Sequence, residues 1–558
     1  MLDCVRSQIL VGLLSGVLAS CAPGPSTGGE GEGEGGDGDS DADSDADTDA
    51  DGDSDGVPAA GQSVGVDADV PFDEDDGNGV EVRADGSLTI GGGGFAITHT
   101  LIWIANSREG TVSKIDTRTH EELGRYRTGG GSYMDPSRTA VNRDGHVVVA
   151  NRGFSSATRI LASDCPDQNR DGEITTSTGG GDILEWGEDE CVVWNTPVGG
   201  ESAGARGTVV EERAGLDGGV VEFAWIGAYY EMTMWEILTE TGEATGRAID
   251  ISPCMPYGAA LGPGGKLWAT GTDGQNEYGP SRLAEIDTTT GEVTQHDVPG
   301  GRSTYGITVD GSGDVWTGGG IQRYRPSTDQ WDWPNVQGGG FFGLIQAGGI
   351  AADGDGIIWA ALGLTGGGIA RIDPETMEGE VIDTGGREHG VAVDFDGKIW
   401  GVDFVGSSAT ILDPETLESE RLTPPFQGAY TYSDMTGFQT ANATGNYGRY
   451  EHVFEGCEAG QTTWRRFTFD GMAPQGSRLV FAARTADDPA DLTTAPAVPL
   501  AAVPPDESPI DLEEKLLLAQ VQPARYLLVE VGMFSDDGQT LPVLFSFGAD
   551  HDCEAGLE

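Results

Sequence analysis

Pairs of short apolar strands recur through the middle of the chain, each pair joined by a turn rich in glycine and aspartate, with tryptophan in the second strand. The clearest copies run from Tyr257 to Trp268, from Tyr305 to Trp316, from Gly348 to Trp359 and from His389 to Trp400. The turns need glycine where the backbone takes a positive φ. The pattern therefore predicts repeated antiparallel strand pairs.

A strand that ends in an aspartate-led turn follows several of these pairs. In such a turn the aspartate side chain accepts hydrogen bonds from the turn backbone. The copies are Ile115-Asp116-Thr117, Ile286-Asp287-Thr288, Ile372-Asp373-Pro374 and Leu412-Asp413-Pro414.

The tryptophan positions set the period of the repeat. Weaker copies place Trp103, Val148 and Trp225 at the same phase, which gives seven marks about 41 to 48 residues apart, with one longer gap that holds an insert at about 160–196. A period of about 40 to 50 residues with several short strands is typical of a β-propeller blade. We therefore predict an all-β chain with a seven-bladed β-propeller over residues 81–445 and tryptophans packed between sheets. A solenoid is the alternative, but closure removes exposed sheet edges.

The amino terminus predicts export. Arg6 precedes an apolar run, 9–19, that is too short to span a bilayer. Residues 1–20 thus read as a signal peptide, and the run ends in Leu18-Ala19-Ser20-Cys21, which resembles the bacterial lipobox, whose cysteine is lipidated. Ala22 after that cysteine favours the outer membrane, by resemblance to Gram-negative lipoproteins. We expect a lipoprotein anchored to the outer membrane, with its folded part in the periplasm or at the cell surface, and no transmembrane helix.

Charge separates the tether from the folded part. Residues 21–80 are strongly acidic and rich in glycine and serine, which predicts a disordered spacer or, as an alternative, a calcium-collecting repeat. The formal net charge of −61 argues against nucleic acid as a partner, since phosphate binding needs cationic groups. It is compatible with divalent cations or with a need for solubility.

The last segment, 446–558, loses the repeat and predicts a small C-terminal β-sandwich. Its expected strands are 463–469, 478–484, 525–533 and 543–547, with a short helix at 512–522 that Asp511 is placed to cap. Pairing of cysteines is expected in an oxidising compartment. Cys165 with Cys191 would bracket the insert and Cys457 with Cys553 the sandwich, leaving Cys254 alone.

A calcium-binding loop is predicted in the insert. Asp167, Asn169 and Asp171 supply oxygens at alternate positions, Gly172 permits the sharp turn, and Glu173 offers its carbonyl. The string resembles EF-hand-type or dockerin-type loops, except that Thr178 stands where those have a bidentate acid. Glu188, Asp189 or Glu190 would replace that acid if the Cys165–Cys191 disulfide forms. The alternative is a polar turn without an ion.

A ligand funnel is predicted at one end of the propeller channel. The residues that precede each blade glycine, and those three past each tryptophan mark, are expected near the loops at that end. A polar pocket with stacking faces would result, or the residues would simply close the channel. The funnel candidates are Tyr257, Tyr305, His389, Asn106, Asn151 and Asp403, with Arg108, Arg152 and Arg387 nearby in sequence.

The recurring (Tyr/His)-Gly-(Ile/Val)-x-Val-Asp-x-x-Gly-x-(Ile/Val)-Trp strings over about 97–440 resemble the streptogramin (virginiamycin B) lyase-like group and its NHL-type relatives. This resemblance implies a propeller and, for a lyase, a magnesium-dependent elimination with His389 as the matching histidine. Asp403 stands where that group has Glu, and Gly348 stands where it has a second His. We therefore expect a binding or scaffold module for a peptide, glycan or protein ligand, with a carbon–oxygen lyase that uses His389 and Asp403 as the alternative.

Overall fold

A computed structural model describes residues 61–91, 99–214, 220–274, 280–338, 345–422, 426–444, 447–458, 461–504, 506–535 and 540–554. The predicted signal peptide, the lipidation site Cys21 and most of the predicted tether lie outside these residues. Most of the regular secondary structure in the described part is β-strand, and this part belongs to one compact unit, Pro58–Glu558. Within it, no helix is long and apolar enough to cross a membrane.

Seven antiparallel sheets follow one another along the chain and form blades 1 to 7 of a propeller. Within each blade the strands are hydrogen-bonded in sequence order, and blade 6 gains one extra strand, Asn335–Gln337, in parallel beside its outermost strand. The strands are Leu101–Asn106, Thr111–Asp116 and Glu122–Arg127 in blade 1; Pro136–Val141, Val147–Asn151, Ser156–Ile160 and Val192–Pro197 in blade 2; Ala205–Ala214, Val220–Ala228, Thr233–Leu238 and Ala244–Asp250 in blade 3; Gly258–Gly262, Lys266–Thr272, Ser281–Asp287 and Val293–Asp297 in blade 4; Ile307–Val309, Val315–Thr317, Gln322–Arg325 and Gln330–Asp332 in blade 5; Ile350–Ala352, Ile358–Ala361, Ile369–Ile372 and Glu378–Ile382 in blade 6; and Glu388–Val393, Ile399–Asp403, Ser408–Leu412 and Ser419–Leu422 in blade 7.

Blade 1 is completed by chain that follows blade 7. The backbone N–H of Trp103 donates to the carbonyl of Met435 at 2.9 Å, and that of Tyr430 donates to the carbonyl of Ala105 at 2.9 Å. The segment 426–435 thus lies beside the first strand of blade 1. This pairing closes the ring, and the prediction of an all-β, seven-bladed propeller is confirmed.

The tryptophans pack between neighbouring blades, as predicted. Trp316 lies with Ile350 and Ile358 of blade 6, and Trp400 lies with Ile102 and Ile104 of blade 1. The others occupy the same place on the blade that follows them: Trp103, Trp225, Trp268 and Trp359. Each is 2 % exposed or less. Burial of these large apolar surfaces stabilises the contact between sheets.

Three of these indoles are held by aspartates in the turn between the first two strands of their blades. Trp400 donates its indole N–H to Oδ2 of Asp394 at 2.8 Å, while Oδ1 of Asp394 accepts the backbone N–H groups of Asp396 and Lys398. The same arrangement joins Trp316 to Asp310 and Trp359 to Asp353. One carboxylate therefore anchors both the tryptophan and the turn before it.

Glycine in the innermost strands is required by the neighbouring blade. A Cβ atom on Gly306 would lie 2.7 Å from the carbonyl oxygen of Gly348, and one on Gly349 would lie 2.8 Å from the backbone nitrogen of Val391. Hydrogen bonds also cross between blades here, with Gly306 N–H donating to the carbonyl of Gly348 at 3.0 Å. The inner strands thus meet backbone to backbone around the axis.

The C-terminal domain is a two-sheet sandwich, and it also includes residues 62–90, which the sequence predicts to be tether and propeller. Its strands are Gln62–Gly65, Gly77–Asn78, Val80–Val82, Leu88–Ile90, Tyr447–Glu455, Gln461–Met472, Ser477–Ala486, Val498–Val503, Ile510–Asp511, Tyr526–Ser535 and Val543–Glu554, and its helix is Leu512–Leu518. The four predicted strands and the helix are present, and Oδ1 of Asp511 accepts the N–H of Glu514 at 2.9 Å as a cap.

The boundary predicted at residue 80 needs correction. Residues 62–90 neither belong to the tether nor begin the propeller, because they pair with the sandwich; Gln62–Gly65 runs antiparallel to Val543–Glu554. Val64, Leu88 and Ile90 are buried in the sandwich core. Isolated apolar residues within an acidic stretch make no periodic pattern, so the sequence did not reveal these strands.

One end of the channel is covered. The axial helix, Phe438–Thr444, lies against the turns of several blades, and Asn442 donates from Nδ2 to the carbonyl of Asp353 at 3.1 Å. The sandwich contacts the same end, because Arg143, in the first turn of blade 2, stacks on Phe534 of the sandwich at 5.1 Å. Arg143 also pairs with Glu212 of blade 3 at 3.0 Å. The opposite end of the channel carries the starts of the inner strands.

We expect Asp394→Ala to lower the free energy of unfolding by about 1–3 kcal/mol, because the buried indole N–H of Trp400 loses its acceptor. Chemical denaturation monitored by tryptophan fluorescence measures the change. Asp396→Ala is the matched control in the same turn; it removes a partly exposed ion pair with Arg118, expected to be worth about 0–1 kcal/mol. Equal effects of the two substitutions would contradict the anchoring role.

Candidate functional site

Aromatic and cationic side chains converge at the opposite end of the channel, which no described helix or domain covers. We call this set the axial cluster: Arg138, Arg152, Arg206, Tyr257, Tyr305, His389, Tyr430 and Tyr432. Arg206, Tyr257, Tyr305 and His389 each precede the glycine of an inner strand, so the fold brings equivalent positions of four blades to one place.

A chain of hydroxyl contacts links the tyrosines. Tyr257 donates from its hydroxyl to that of Tyr305 at 2.8 Å. The Tyr430 hydroxyl lies 3.1 Å from those of Tyr305 and Tyr432. Nε2 of His389 lies 3.3 Å from the Tyr305 hydroxyl, and its ring stacks on that of Tyr430 with centroids 4.9 Å apart.

Arginines lie against the tyrosine rings. The guanidinium carbon of Arg138 lies 3.0 Å from the centroid of Tyr432 and 4.9 Å from that of Tyr257. Arg206 lies 4.7 Å from the centroid of Tyr257, and Arg152 lies 4.6 Å from that of Tyr430. Cation–π attraction of this kind strengthens as the pair is desolvated.

The cluster has a buried layer and an accessible layer. Arg138 is fully buried and Tyr432 is 2 % exposed. Arg152, Arg206, Tyr257 and Tyr305 are half-buried, so they form the floor that a ligand would meet. Tyr229, half-buried, and Tyr230, 63 % exposed, extend the aromatic surface from this floor towards the rim.

Positive charge sets the protonation states of the cluster. Burial alone would raise the pKa of the Tyr257 phenol, but the charges of Arg138 and Arg206, together with its hydrogen bonds to Tyr305 and Tyr430, lower that pKa to about 8. Burial lowers the pKa of His389 to about 4, and Arg138 and Arg152 contribute to the shift. His389 is therefore neutral at pH 7.

Three of the predicted funnel residues bond within their own blades. Asn106 donates from Nδ2 to the hydroxyl of Ser113 at 2.8 Å, and Asn151 donates from Nδ2 to the hydroxyl of Thr158 at 2.9 Å. Asp403 accepts from the N–H of Gly406 at 2.7 Å and from Arg421 at 3.0 Å. These side chains hold strand ends together.

Of the three predicted arginines, one belongs to the axial cluster and two do not. Arg152 joins the axial cluster and pairs with Asp135. Arg108 is exposed and stacks on Phe404 at 5.1 Å, and Arg387 is exposed and donates to the carbonyl of Gly363 at 3.2 Å.

Sequence reasoning missed Arg138, Arg206, Tyr430 and Tyr432. Arg206-Gly207 shares the phase of Tyr257-Gly258, so the motif itself could have revealed Arg206. Val148 pairs with the residue two positions after Arg138. Arg138 therefore occupies the position of the inner strand at which blades 3 to 7 have glycine. Tyr430 and Tyr432 lie in the closing strand, which carries no copy of the motif.

The surroundings of His389 do not fit a divalent cation. Its neighbours among the described residues are the rings of Tyr305, Phe404, Tyr430 and Tyr432. Arg138 and Arg152 add positive charge, whereas magnesium prefers carboxylate and water oxygens. Among the described residues, the side chains around this histidine therefore do not supply the carboxylates that the magnesium implied by the lyase resemblance would need.

The predicted calcium loop has a turn geometry built by its own side chains. Asn169 Oδ1 accepts the N–H of Asp171 at 2.8 Å, and Asp167 Oδ2 accepts that of Gly172 at 2.9 Å. Gly172 has a φ of 89°, as the sharp turn requires. The insert lies between the third and fourth strands of blade 2.

The predicted disulfides are both present, and one of them brings an acid to this loop. Cys165 pairs with Cys191 and Cys457 pairs with Cys553, while Cys254 is buried and unpaired. Glu190, beside Cys191, accepts the backbone N–H of Asn169 at 3.0 Å. The oxygen donors of Asp167, Asn169 and Asp171 suit calcium chemically, and calcium binding stays a prediction.

We expect calcium to protect the insert and to raise the melting temperature, because an ion would cross-link oxygens that are otherwise held only by backbone amides. Trypsin cleavage after the exposed Arg170 is followed by mass spectrometry, with calcium and with a chelator. Asp171→Ala should remove the protection, and Asp383→Ala, at an exposed turn of blade 6, should leave it intact. Equal cleavage with and without calcium would rule the ion site out.

No protein-family model and no curated protein matches the chain. Solved structures do match. A streptogramin B lyase structure is 15 % identical over 62 % of this chain and 95 % of its own, with a TM-score of 0.40. Virginiamycin B lyase from Staphylococcus aureus is 16 % identical over 53 % and 87 %, with a TM-score of 0.39. AztD from Citrobacter koseri is 12 % identical over 59 % and 96 %, with a TM-score of 0.37. The chain is thus similar to streptogramin B lyases, the group that its repeat motifs resemble, and its own seven sheets establish the propeller.

Proposed function

We propose that the chain is an exported lipoprotein, anchored through Cys21, whose propeller binds a peptide, glycan or protein ligand at the axial cluster. The observation that carries this proposal is the half-buried floor of tyrosine rings and arginines in contact with one another at one end of the channel. Aromatic faces beside a few fixed polar groups are typical of ligand pockets.

The position of the sandwich leaves the axial cluster free for a ligand. The sandwich includes residue 62, which lies inside the stretch predicted as tether, and it contacts the propeller at the end that the axial helix covers. The axial cluster therefore lies at the end of the channel that the sandwich does not contact. Two disulfides are compatible with an oxidising compartment outside the cytoplasm.

A carbon–oxygen lyase is the second candidate, and the observation in its favour is the place of His389. The imidazole is neutral and touches the Tyr305 hydroxyl, so it can accept a proton from a bound molecule. Asp403, the other residue of this hypothesis, is committed to Arg421 and to the turn at Gly406. Binding without chemistry is therefore the better supported function.

Cys21→Ser should release the protein from the membrane fraction into the soluble fraction, because the mature chain loses its acylated residue. Fractionation of the expressing cells, with incorporation of labelled palmitate, measures the change. Cys4→Ser is the matched control, since Cys4 lies within the predicted signal peptide, and it should change neither readout. Labelled, membrane-bound Cys21→Ser protein would overturn the anchor.

His389→Ala should weaken ligand binding about tenfold, because the Tyr430 ring loses its stacking partner and the floor loses its shape. The full chain with Cys21→Ser is applied to glycan and peptide arrays, and captured ligands are titrated. His296→Ala is the matched control: His296 packs between Trp268 and Tyr324 away from the axis. Equal affinities for the two variants would place binding elsewhere.

The same variant separates the two candidates. If the protein opens cyclic depsipeptides or lactones, His389→Ala should abolish that activity while His296→Ala retains it. Activity that survives His389→Ala at its original level would exclude the lyase mechanism through this histidine.

A further inference from the structure

Two arginines of the axial cluster have no acidic partner among the residues that the structure describes. Arg138 is fully buried, and its Nε and Nη1 make no hydrogen bond, while Nη2 donates to the carbonyl of Tyr257 at 3.0 Å. Nε and Nη1 of Arg206 are likewise without a partner. No carboxylate of the described residues lies within the 4.0 Å ion-pair distance of either guanidinium.

Other buried arginines of the same propeller are neutralised. Arg159 pairs with Glu222, and Arg323 pairs with Asp332 at 3.1 Å. Acidic residues are plentiful, at 92 against 31 basic residues in the chain. A buried charge without a counter-ion is costly. Arg138 is such a charge, and the half-buried Arg206 lies against the same Tyr257 ring, so the pair indicates that the counter-ion comes from outside.

The rings around these arginines provide the rest of a binding site. The faces of Tyr257 and Tyr229 hold Arg206 at 4.7 and 4.9 Å, and the Tyr257 and Tyr305 rings lie 4.8 Å apart. Flat aromatic surfaces favour a planar ligand body, and the guanidinium edge favours a carboxylate.

We propose that the axial cluster binds a small organic carboxylate, which pairs with Arg206 in the field of Arg138 while its planar body stacks on the tyrosines. This rests on the proposed function, because it names the chemical class of ligand for the same floor. Arg206 is the half-buried member that a ligand reaches first, and the buried Arg138 adds charge from below.

When it is deprotonated, the phenol of Tyr257 competes with a bound carboxylate for the positive charges of Arg138 and Arg206. The groups that face it are Arg138, Arg206, Tyr229, Tyr305, Tyr430 and Tyr432, of which only the arginines are charged at neutral pH. Deprotonation of Tyr257 places a phenolate beside both guanidinium groups. The phenolate neutralises them and repels a second anion, so carboxylate binding requires the protonated phenol.

Isothermal titration of the full chain with Cys21→Ser tests the proposal with three probes: benzoate, its neutral isostere benzamide, and inorganic phosphate. We expect benzoate to bind at least about tenfold more tightly than benzamide, because only benzoate satisfies the guanidinium. Phosphate should bind more weakly than benzoate because it has no body to stack. Equal affinities for benzoate and benzamide, or for benzoate and phosphate, would overturn the assignment.

Variants locate the site. Arg206→Met should weaken benzoate binding about tenfold or more, and Arg206→Lys should restore part of it. Arg371→Met is the matched control, because Arg371 also stacks on an aromatic ring, that of Trp359, but within blade 6. Unchanged affinity in Arg206→Met, with melting temperature and circular dichroism equal to those of the parent, would overturn the proposal.

The pH dependence gives an independent readout. Benzoate stays ionised at neutral and alkaline pH, so its affinity should fall about tenfold one pH unit above the pKa of Tyr257, which is about 8. Tyr257→Phe should remove that fall. A fall that persists in Tyr257→Phe would overturn the role of the phenol.

Failure of the carboxylate and failure of the proposed function give different results. If an array ligand binds and loses affinity in His389→Ala while benzoate does not bind, the floor is a ligand site for another chemistry. If benzoate binding depends on Arg206 but no array ligand is captured, the carboxylate site is supported and the proposed peptide, glycan or protein ligand is contradicted.

Discussion

The close approach of seven inner strands around one axis is the constraint on which the rest of the propeller depends. Backbone meets backbone there, and at Gly306 and Gly349 a Cβ atom would collide with the next blade. Glycine at this position lets the sheets converge, and the tryptophan one strand further out fills the wedge that opens between them. In blades 3 to 7 the glycine therefore lets the inner strands approach one another, and the tryptophan fills the space that this approach opens between the sheets.

The same convergence creates the axial cluster. A side chain that precedes an inner glycine has no room along the channel wall and lies at the channel end, where it meets its equivalents from other blades. In blade 2, Arg138 occupies the glycine position itself, and its long side chain fills the axis above Tyr432. The closing strand adds Tyr430 and Tyr432. A cationic, aromatic floor thus forms in a chain whose formal net charge is −61.

The acidic surface and the cationic axial cluster act on an anionic ligand in opposite directions. The acidic surface repels anions at long range, and screening by salt limits this effect to roughly 10 Å at about 0.1 M ionic strength. Within the cluster, low dielectric and desolvation strengthen every interaction with a guanidinium. Selectivity would then favour ligands whose anionic group is small and whose remaining surface is flat, because only such a group reaches Arg206 while the body stacks on the tyrosines.

The sequence by itself determined the blade count, the phase of the tryptophans, the aspartate-led turns, the cysteine pairs and the strands of 463–547, because each depends on local periodicity or on spacing along the chain. It also pointed to Tyr257, Tyr305 and His389, which share one place in the repeat. Only the tertiary structure decided that residues 62–90 belong to the sandwich, that Asn106, Asn151 and Asp403 bond within their own blades, and that Tyr430 and Tyr432 enter the cluster from the closing strand. Those outcomes depend on contacts between residues hundreds of positions apart, such as Gln62 with Ala549, and no local pattern records which distant surface an isolated apolar or polar side chain will meet.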